Sequence, residues 1–78
     1  MQTPEEVFIT IGESAGKYNI TVKQWLESFR IVNPYWNEKP RDEKITYINK
    51  LIEDSKTAKK EDCILFFEAI KQVVEKIN

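Results

Sequence analysis

Apolar residues recur at helical spacing in four segments of the chain. The clearest is the last segment, where seven apolar residues follow steps of three, one, three, three, one and three. This spacing keeps them on one face of an α-helix, whereas no segment shows the alternation expected of paired strands. We therefore predict an all-α, compact single domain spanning 1–78, with four helices at about 4–18, 22–32, 40–54 and 58–77. The seven residues are Cys63, Phe66, Phe67, Ile70, Val73, Val74 and Ile77.

The first helix begins at a strong start signal. Thr3 can cap the helix, Pro4 suits its first position, and Glu6 completes a capping box. A strand is the local alternative, because residues 7–11 are rich in β-branched side chains, but the chain offers no partner strand. Helix is therefore the prediction, although the glycines at 12 and 16 each cost about 1 kcal/mol relative to alanine. The predicted apolar face consists of Val7, Ile11, Ala15 and Tyr18, widened by Phe8.

Cap residues and prolines set the other boundaries. Asn19 is expected to end the first helix in a left-handed conformation, and Thr21 with Gln24 forms a capping box for the second. The second helix stops before Pro34, which disfavours helical geometry at the preceding residue. The third helix is predicted to start at Pro40, and the fourth to be capped by Thr57. The apolar stripe of the second helix is Trp25, Leu26, Phe29 and Val32; that of the third is Ile45, Ile48, Leu51 and Ile52.

The composition removes most catalytic chemistry. The 78 residues include no His and one Cys, so the commonest general base and the Cys-His and Ser-His-Asp systems are missing. A zinc site would need more ligands than Cys63 supplies. Adjacent acidic pairs such as Glu61 and Asp62 point about 100° apart on a helix and cannot both face one substrate. We expect no enzymatic activity, no catalytic residue, no metal and no cofactor.

The charge balance and the cysteine content bear on partners and location. The 12 Lys and Arg against 13 Asp and Glu give a net charge of −1, so nucleic-acid binding would need a local basic patch. No apolar run is long enough to cross a bilayer and no secretory signal is visible, so we expect a cytoplasmic protein without a membrane partner. Ten lysines against two arginines, together with ten isoleucines, hint at an AT-rich prokaryotic or phage genome.

The segment Ile11–Arg30 resembles the helix-turn-helix of bacterial and phage DNA-binding proteins. The matching residues are Ala15, Lys17, Tyr18, Asn19, Ile20, Thr21 and Trp25. The segment departs from that pattern at Gly12 and Gly16, and at Ser28 where the family usually has an aliphatic residue. The resemblance implies that Lys17, Thr21, Lys23, Gln24 and Arg30 contact DNA. The alternative is a plain helical hairpin in which Ala15, Ile20 and Trp25 pack together.

The loop between the second and third helices carries two neighbouring aromatic residues. Tyr35 and Trp36 lie beside Arg41 in sequence, and these residue types dominate protein–protein hot spots. We therefore predict Tyr35, Trp36 and Arg41 as protein-binding residues. The alternative, which we favour for Trp36, is that its ring folds back over the ends of the second and third helices and belongs to the core. Tyr35 is then the exposed member of the pair.

Apolar residues surround the middle of the fourth helix. Ile64 and Leu65 lie off its main stripe. They are predicted to form a second apolar face, with Val73 nearby, that a protein partner covers. A homodimer through this last helix would bury the face symmetrically. Enclosure by the other helices of the same chain is the alternative.

These observations favour a small, non-enzymatic regulatory protein that acts by protein–protein binding and is encoded by a phage or plasmid. The expected binding residues are Tyr35, Trp36, Arg41, Ile64 and Leu65. A helix-turn-helix transcriptional regulator that binds DNA through residues 11–30 is the alternative function.

Overall fold

The computed structural model describes residues 2–77, without the side chain of Ile77. Four helices follow one another in the chain: α1 (Pro4–Tyr18), α2 (Val22–Val32), α3 (Arg41–Thr57) and α4 (Glu61–Ile77). A short 3-10 turn, Trp36–Glu38, separates α2 from α3, and residues 2–77 contain no strand. The extents of 29 × 27 × 22 Å describe a nearly round molecule. The predicted all-α fold of four helices is confirmed.

The caps of α1 and α2 explain why their predicted bounds are correct. The Thr3 hydroxyl accepts the backbone N–H of Glu6 at 3.2 Å. Thr21 and Gln24 form a reciprocal capping box, in which the Gln24 N–H donates to the Thr21 hydroxyl at 3.1 Å and the Thr21 N–H to the Gln24 side chain at 2.9 Å. Asn19 has φ 57°, the left-handed conformation expected at the end of α1.

The predicted boundary between the third and fourth helices is wrong by three residues. Thr57 is the last residue of α3 rather than the cap of α4, and Pro40 precedes α3 as its N-cap. The polar stretch after position 54 continues the helix as far as Thr57. Ser55 is buried within it, and its hydroxyl is satisfied by donating to the Leu51 carbonyl at 2.8 Å. Lys59, at φ 56°, then turns the chain, and the N–H of Lys60 reaches the Ser55 carbonyl at 2.9 Å in a Schellman motif.

The core is built mainly from aromatic side chains. Trp25 and Phe29 of α2 stack on each other at 5.0 Å between ring centroids. Phe8 from α1 and Phe67 from α4 contact the Trp25 ring, at 5.1 and 5.6 Å. All four residues are fully buried. Since α4 packs closely along α3 and α1 but only lightly against α2, these large rings are what attach α2 to the rest of the domain.

The buried face of α1 differs from the predicted one. Its centre is formed by Phe8, Gly12 and Ala15, whereas Tyr18 is 67% exposed. A methyl group on Gly12 would lie 2.8 Å from Cζ of Phe67, and one on Gly16 would lie 2.9 Å from Cβ of Asp62. The two glycines therefore let α4 approach α1 closely, a packing reason that the apolar pattern alone does not reveal.

The Gly12→Ala substitution should destabilise the protein even though alanine is the better helix former. Alanine favours the helix by about 1 kcal/mol, but a methyl group 2.8 Å from the Phe67 ring overpacks the α1–α4 contact, which typically costs about 1–3 kcal/mol. Urea unfolding should show a net loss of about 1 kcal/mol. Thr10→Ala, at an exposed site of the same helix, is the control. A gain of stability for Gly12→Ala would contradict the close contact.

Tyr47 makes the stability sensitive to high pH. Its hydroxyl is buried without a hydrogen-bond partner among the described residues, and burial, with the nearby Glu5 carboxylate, raises its pKa to about 12. The unfolded chain releases this proton at about pH 10, so folding becomes less favourable as the pH rises from about 10 towards 12. Below about pH 10 the contribution of Tyr47 to the stability of the fold does not change with pH.

We expect the Tyr47→Phe variant to lose less stability than the parent protein between neutral pH and about pH 11. Phenylalanine keeps the ring but has no proton to release. The measurement is the shift in urea midpoint of each protein between the two pH values. Because both proteins contain the same lysines, the effect of lysine titration cancels when the two shifts are compared. Equal losses for the two proteins would mean that the Tyr47 hydroxyl is accessible to water.

Candidate protein-binding surface

Trp36 is a core residue and not an exposed binding anchor. It is only 4% exposed, and its ring meets Phe29 edge-on at 4.1 Å between centroids. The prediction of Trp36 as an exposed binding residue is therefore corrected, and the favoured alternative is confirmed: the ring folds back into the core against Phe29 of α2 and Tyr47 of α3. Tyr35 is 67% exposed as expected, and Arg41 is exposed at the start of α3.

The second apolar face predicted on α4 is smaller than its sequence suggests. Ile64 is half-buried and packs against the core. Leu65 is 67% exposed, and its helical neighbours Glu61 and Glu68 are exposed acidic residues. Most of the surplus apolar surface is thus covered by the chain itself, and Leu65 alone remains strongly exposed at this position.

A larger exposed apolar surface lies at the end of α2. Ile31 is 83% exposed, the largest value among the big apolar side chains of residues 2–76, and Val32 and Tyr35 are exposed by 36% and 67%. Pro34 between them is also exposed. These four residues, Ile31, Val32, Pro34 and Tyr35, are called the α2 patch below.

The position of Ile31 in the sequence indicates that it is exposed, because it does not belong to the apolar stripe of α2. Ile31 follows Phe29 by two positions, so on a helix it points about 200° away from the buried face. An isoleucine opposite a well-defined stripe has no core to enter. Val32, by contrast, is predicted to be buried, and it is exposed because α2 ends there, beyond the aromatic cluster.

A cleft of about 300 Å³ opens beside the patch, where α2 meets the 3-10 turn and the ends of α3 and α4. A shallow hollow over Ile31 and Pro34 shares Glu27, Arg30 and Asn37 with this cleft. Patch and cleft therefore form one continuous surface. The cleft is lined by Lys23, Leu26, Glu27, Arg30, Trp36, Asn37, Lys44 and Val74.

The cleft carries more positive than negative charge. Lys23, Arg30 and Lys44 contribute three cations, and Glu27 contributes the single carboxylate. Lys44 is only 8% exposed, and its ammonium lies 5.7 Å from the centroid of the Trp36 ring. The backbone N–H of Lys44 donates to the Pro40 carbonyl at 3.1 Å, whereas its ammonium has no ion-pair or hydrogen-bond partner within residues 2–77. The positive cleft stands out in a chain whose net charge is −1.

The residues implied by the helix-turn-helix resemblance all reach the surface. Lys17, Lys23 and Arg30 are exposed, while the side chains of Thr21 and Gln24 are engaged in their capping box. Ala15 and Trp25 are buried between the helices, as a plain helical hairpin requires. The remaining member of that hairpin packing, Ile20, is half-buried.

The cysteine and one ion pair make contacts between α1 and the start of α4. Cys63 is 1% exposed, its thiol lies 3.7 Å from the Ile9 carbonyl, and burial raises its pKa. Lys60 pairs with Glu13, which ties the start of α4 to α1. The described residues contain no cluster of three metal-binding side chains and no helix that meets the length and apolarity needed to cross a bilayer.

Comparisons with protein-family models, curated proteins and solved structures find no match for this chain. The function must therefore be inferred from the surface itself.

The Trp36→Ala substitution should destabilise the whole domain. Removing a buried Trp typically costs about 3–5 kcal/mol, and the ring packs on Phe29, which anchors α2. Thermal unfolding followed by circular dichroism should show a large drop in the midpoint. The neighbouring Tyr35→Ala variant, at a site that is 67% exposed, should unfold at nearly the parent temperature. A stable, fully helical Trp36→Ala protein would show that Trp36 is not part of the core.

Proposed function

We propose that this protein is a small, non-enzymatic regulator that binds another protein through the α2 patch and the adjacent cleft. The observation that carries the proposal is the 83% exposure of Ile31, beside Pro34 in a hollow that shares residues with the adjacent cleft. Of the residues predicted from the sequence, Tyr35 belongs to this surface as an exposed ring and Trp36 as part of the cleft wall. Arg41, Ile64 and Leu65 are not needed by it.

Physical reasons favour a protein as the partner. Exposed apolar side chains that form a contiguous patch beside polar residues are typical of protein-interaction sites. Aromatic and Arg residues, here Tyr35 and Arg30, supply large contact areas in such sites. Ile31 and Val32 belong to the last turn of α2, where the backbone is already ordered, so binding there orders few further backbone bonds. A cytoplasmic location and a phage or plasmid origin stay proposals based on composition.

DNA binding is the second candidate, supported by the exposure of Lys17, Lys23 and Arg30 along one hairpin. Two features weigh against it. Glu27 lies between Lys23 and Arg30 in the same cleft, where it would repel phosphate. The capping box also engages Thr21 and Gln24, the first-turn side chains expected to contact bases. A homodimer through α4 has, among residues 61–76 whose side chains the structure describes, only Leu65 as a strongly exposed apolar contact.

Replacing Ile31 should abolish partner binding without affecting the fold. We expect the tagged parent protein to retain a specific partner from a lysate of the organism that encodes it. The Ile31→Ser protein should retain less of that partner, by a factor of at least about ten, as for an interface hot spot. Leu65→Ser is the matched control, because it removes another strongly exposed aliphatic side chain. Circular dichroism should show equal helicity for all three proteins.

Two results would decide against the proposal. Equal retention of the partner by the Ile31→Ser protein would exclude the α2 patch. A gel shift at low salt that weakens steeply with added salt and is lost in Lys23→Ala would favour the DNA-binding regulator instead.

A further inference from the structure

We propose that the cleft beside the α2 patch binds a carboxylate that the partner protein presents next to an apolar side chain. The inference rests on the proposed function for the source of that carboxylate, and it adds the chemistry of the contact. Its basis is the pairing of a cationic rim with an apolar floor in one small cleft.

The buried lysine is the first observation. Lys44 is 8% exposed as a whole residue, but its ammonium is not among the buried side-chain atoms that lack a hydrogen-bond partner, so it stays in contact with the solvent of the cleft that it lines. The ammonium lies 5.7 Å from the centroid of the Trp36 ring, and a cation–π contact leaves its N–H donors available. A carboxylate on a ligand would replace water at these donors with a charge-assisted hydrogen bond.

The charge of the rim selects an anion. Lys23 and Arg30 line the same cleft as Lys44. Glu27, the one carboxylate there, repels a ligand carboxylate as it repels phosphate, but the three cations outnumber it. Charge-assisted hydrogen bonds from lysine and arginine to a carboxylate are roughly twice as strong as neutral ones. An isolated positive cleft in a chain of net charge −1 therefore favours an acidic group locally without attracting polyanions over a distance.

The floor of the cleft adds an apolar requirement. Leu26, Trp36 and Val74 line it together with the three cations. A volume of about 300 Å³ is at the lower limit of small-molecule sites, so it fits one or two amino-acid side chains and is small for a nucleotide cofactor. A phosphate backbone would use the cations but would leave the apolar floor uncovered. An acidic residue beside an aliphatic or aromatic one uses both.

The direct test is an NMR titration of the isotope-labelled full chain with short peptide probes. N-acetyl-Leu-Glu-amide carries the carboxylate and the apolar side chain, N-acetyl-Leu-Gln-amide lacks only the charge, and N-acetyl-Gly-Glu-amide lacks only the apolar group. We expect the first probe to shift the signals of the cleft residues and to bind at least about fivefold more tightly than either control, the effect of roughly 1 kcal/mol. Inorganic phosphate should bind more weakly than the first probe.

Variants of the chain complete the test. Lys44→Met keeps the buried methylene groups and removes the charge, so it should weaken binding of N-acetyl-Leu-Glu-amide at least about fivefold while retaining the folded spectrum. Lys56→Met removes a charge from an exposed site of the same helix and should have no effect. Equal binding of the Glu and Gln probes, tighter binding of phosphate, or an unchanged affinity in Lys44→Met would overturn the inference.

The failure of this inference is distinguishable from failure of the proposed function. Loss of the partner in Ile31→Ser with full retention in Lys44→Met would overturn the carboxylate contact and leave the protein-binding surface intact. Peptide binding that depends on Lys44, with no partner lost in Ile31→Ser, would overturn the proposed function and show that the cleft takes a free acidic ligand. Loss of both the peptide and the partner in Lys44→Met supports the inference.

Discussion

The attachment of α2 through its aromatic side chains is the interaction on which the other features depend. Trp25 and Phe29 stack at 5.0 Å and are fully buried among rings from α1 and α4. Because α2 makes few close backbone approaches to the rest of the domain, these rings fix its rotation about its own axis. The same rotation turns Ile31 outwards and places Lys23 and Arg30 on the rim of the cleft. The candidate binding surface is thus a direct consequence of the core.

The remaining three helices achieve their packing in a different way. The glycines of α1 allow α4 to approach so closely that a single methyl group would meet the Phe67 ring. Charged contacts reinforce this arrangement at the edges, where Glu5 pairs with Lys50 of α3 at 3.5 Å and Glu13 pairs with Lys60. Exposed pairs of this kind add little stability. The close backbone contact and the aromatic cluster therefore determine the fold, and the charges only bias its geometry.

Local signals explain which parts of the fold are predictable from the sequence. The caps at Thr3 and Thr21 act over three residues, so the bounds of α1 and α2 follow from sequence alone. The end of α3 does not, because it depends on Ser55 being buried by α4 and on Lys59 adopting a left-handed conformation, neither of which has a local pattern. Trp36 is an intermediate case: the sequence favours a buried ring, but its contacts with Phe29 and Tyr47 follow only from the packed helices. Ile31 was predictable in principle, since it lies opposite the α2 stripe.

The central claim is that the outward face of α2 is free in the isolated protein. Methyl NMR of isoleucine-labelled protein with a soluble paramagnetic agent measures this directly, because relaxation of each methyl group reports its access to solvent. We expect the Ile31 methyl to relax faster than those of the other isoleucines between positions 9 and 70, and the methyl groups of fully buried Ile48 and Ile70 to be protected. An Ile31 methyl as protected as that of Ile48 would show that α2 packs with a different face inwards and would contradict the account.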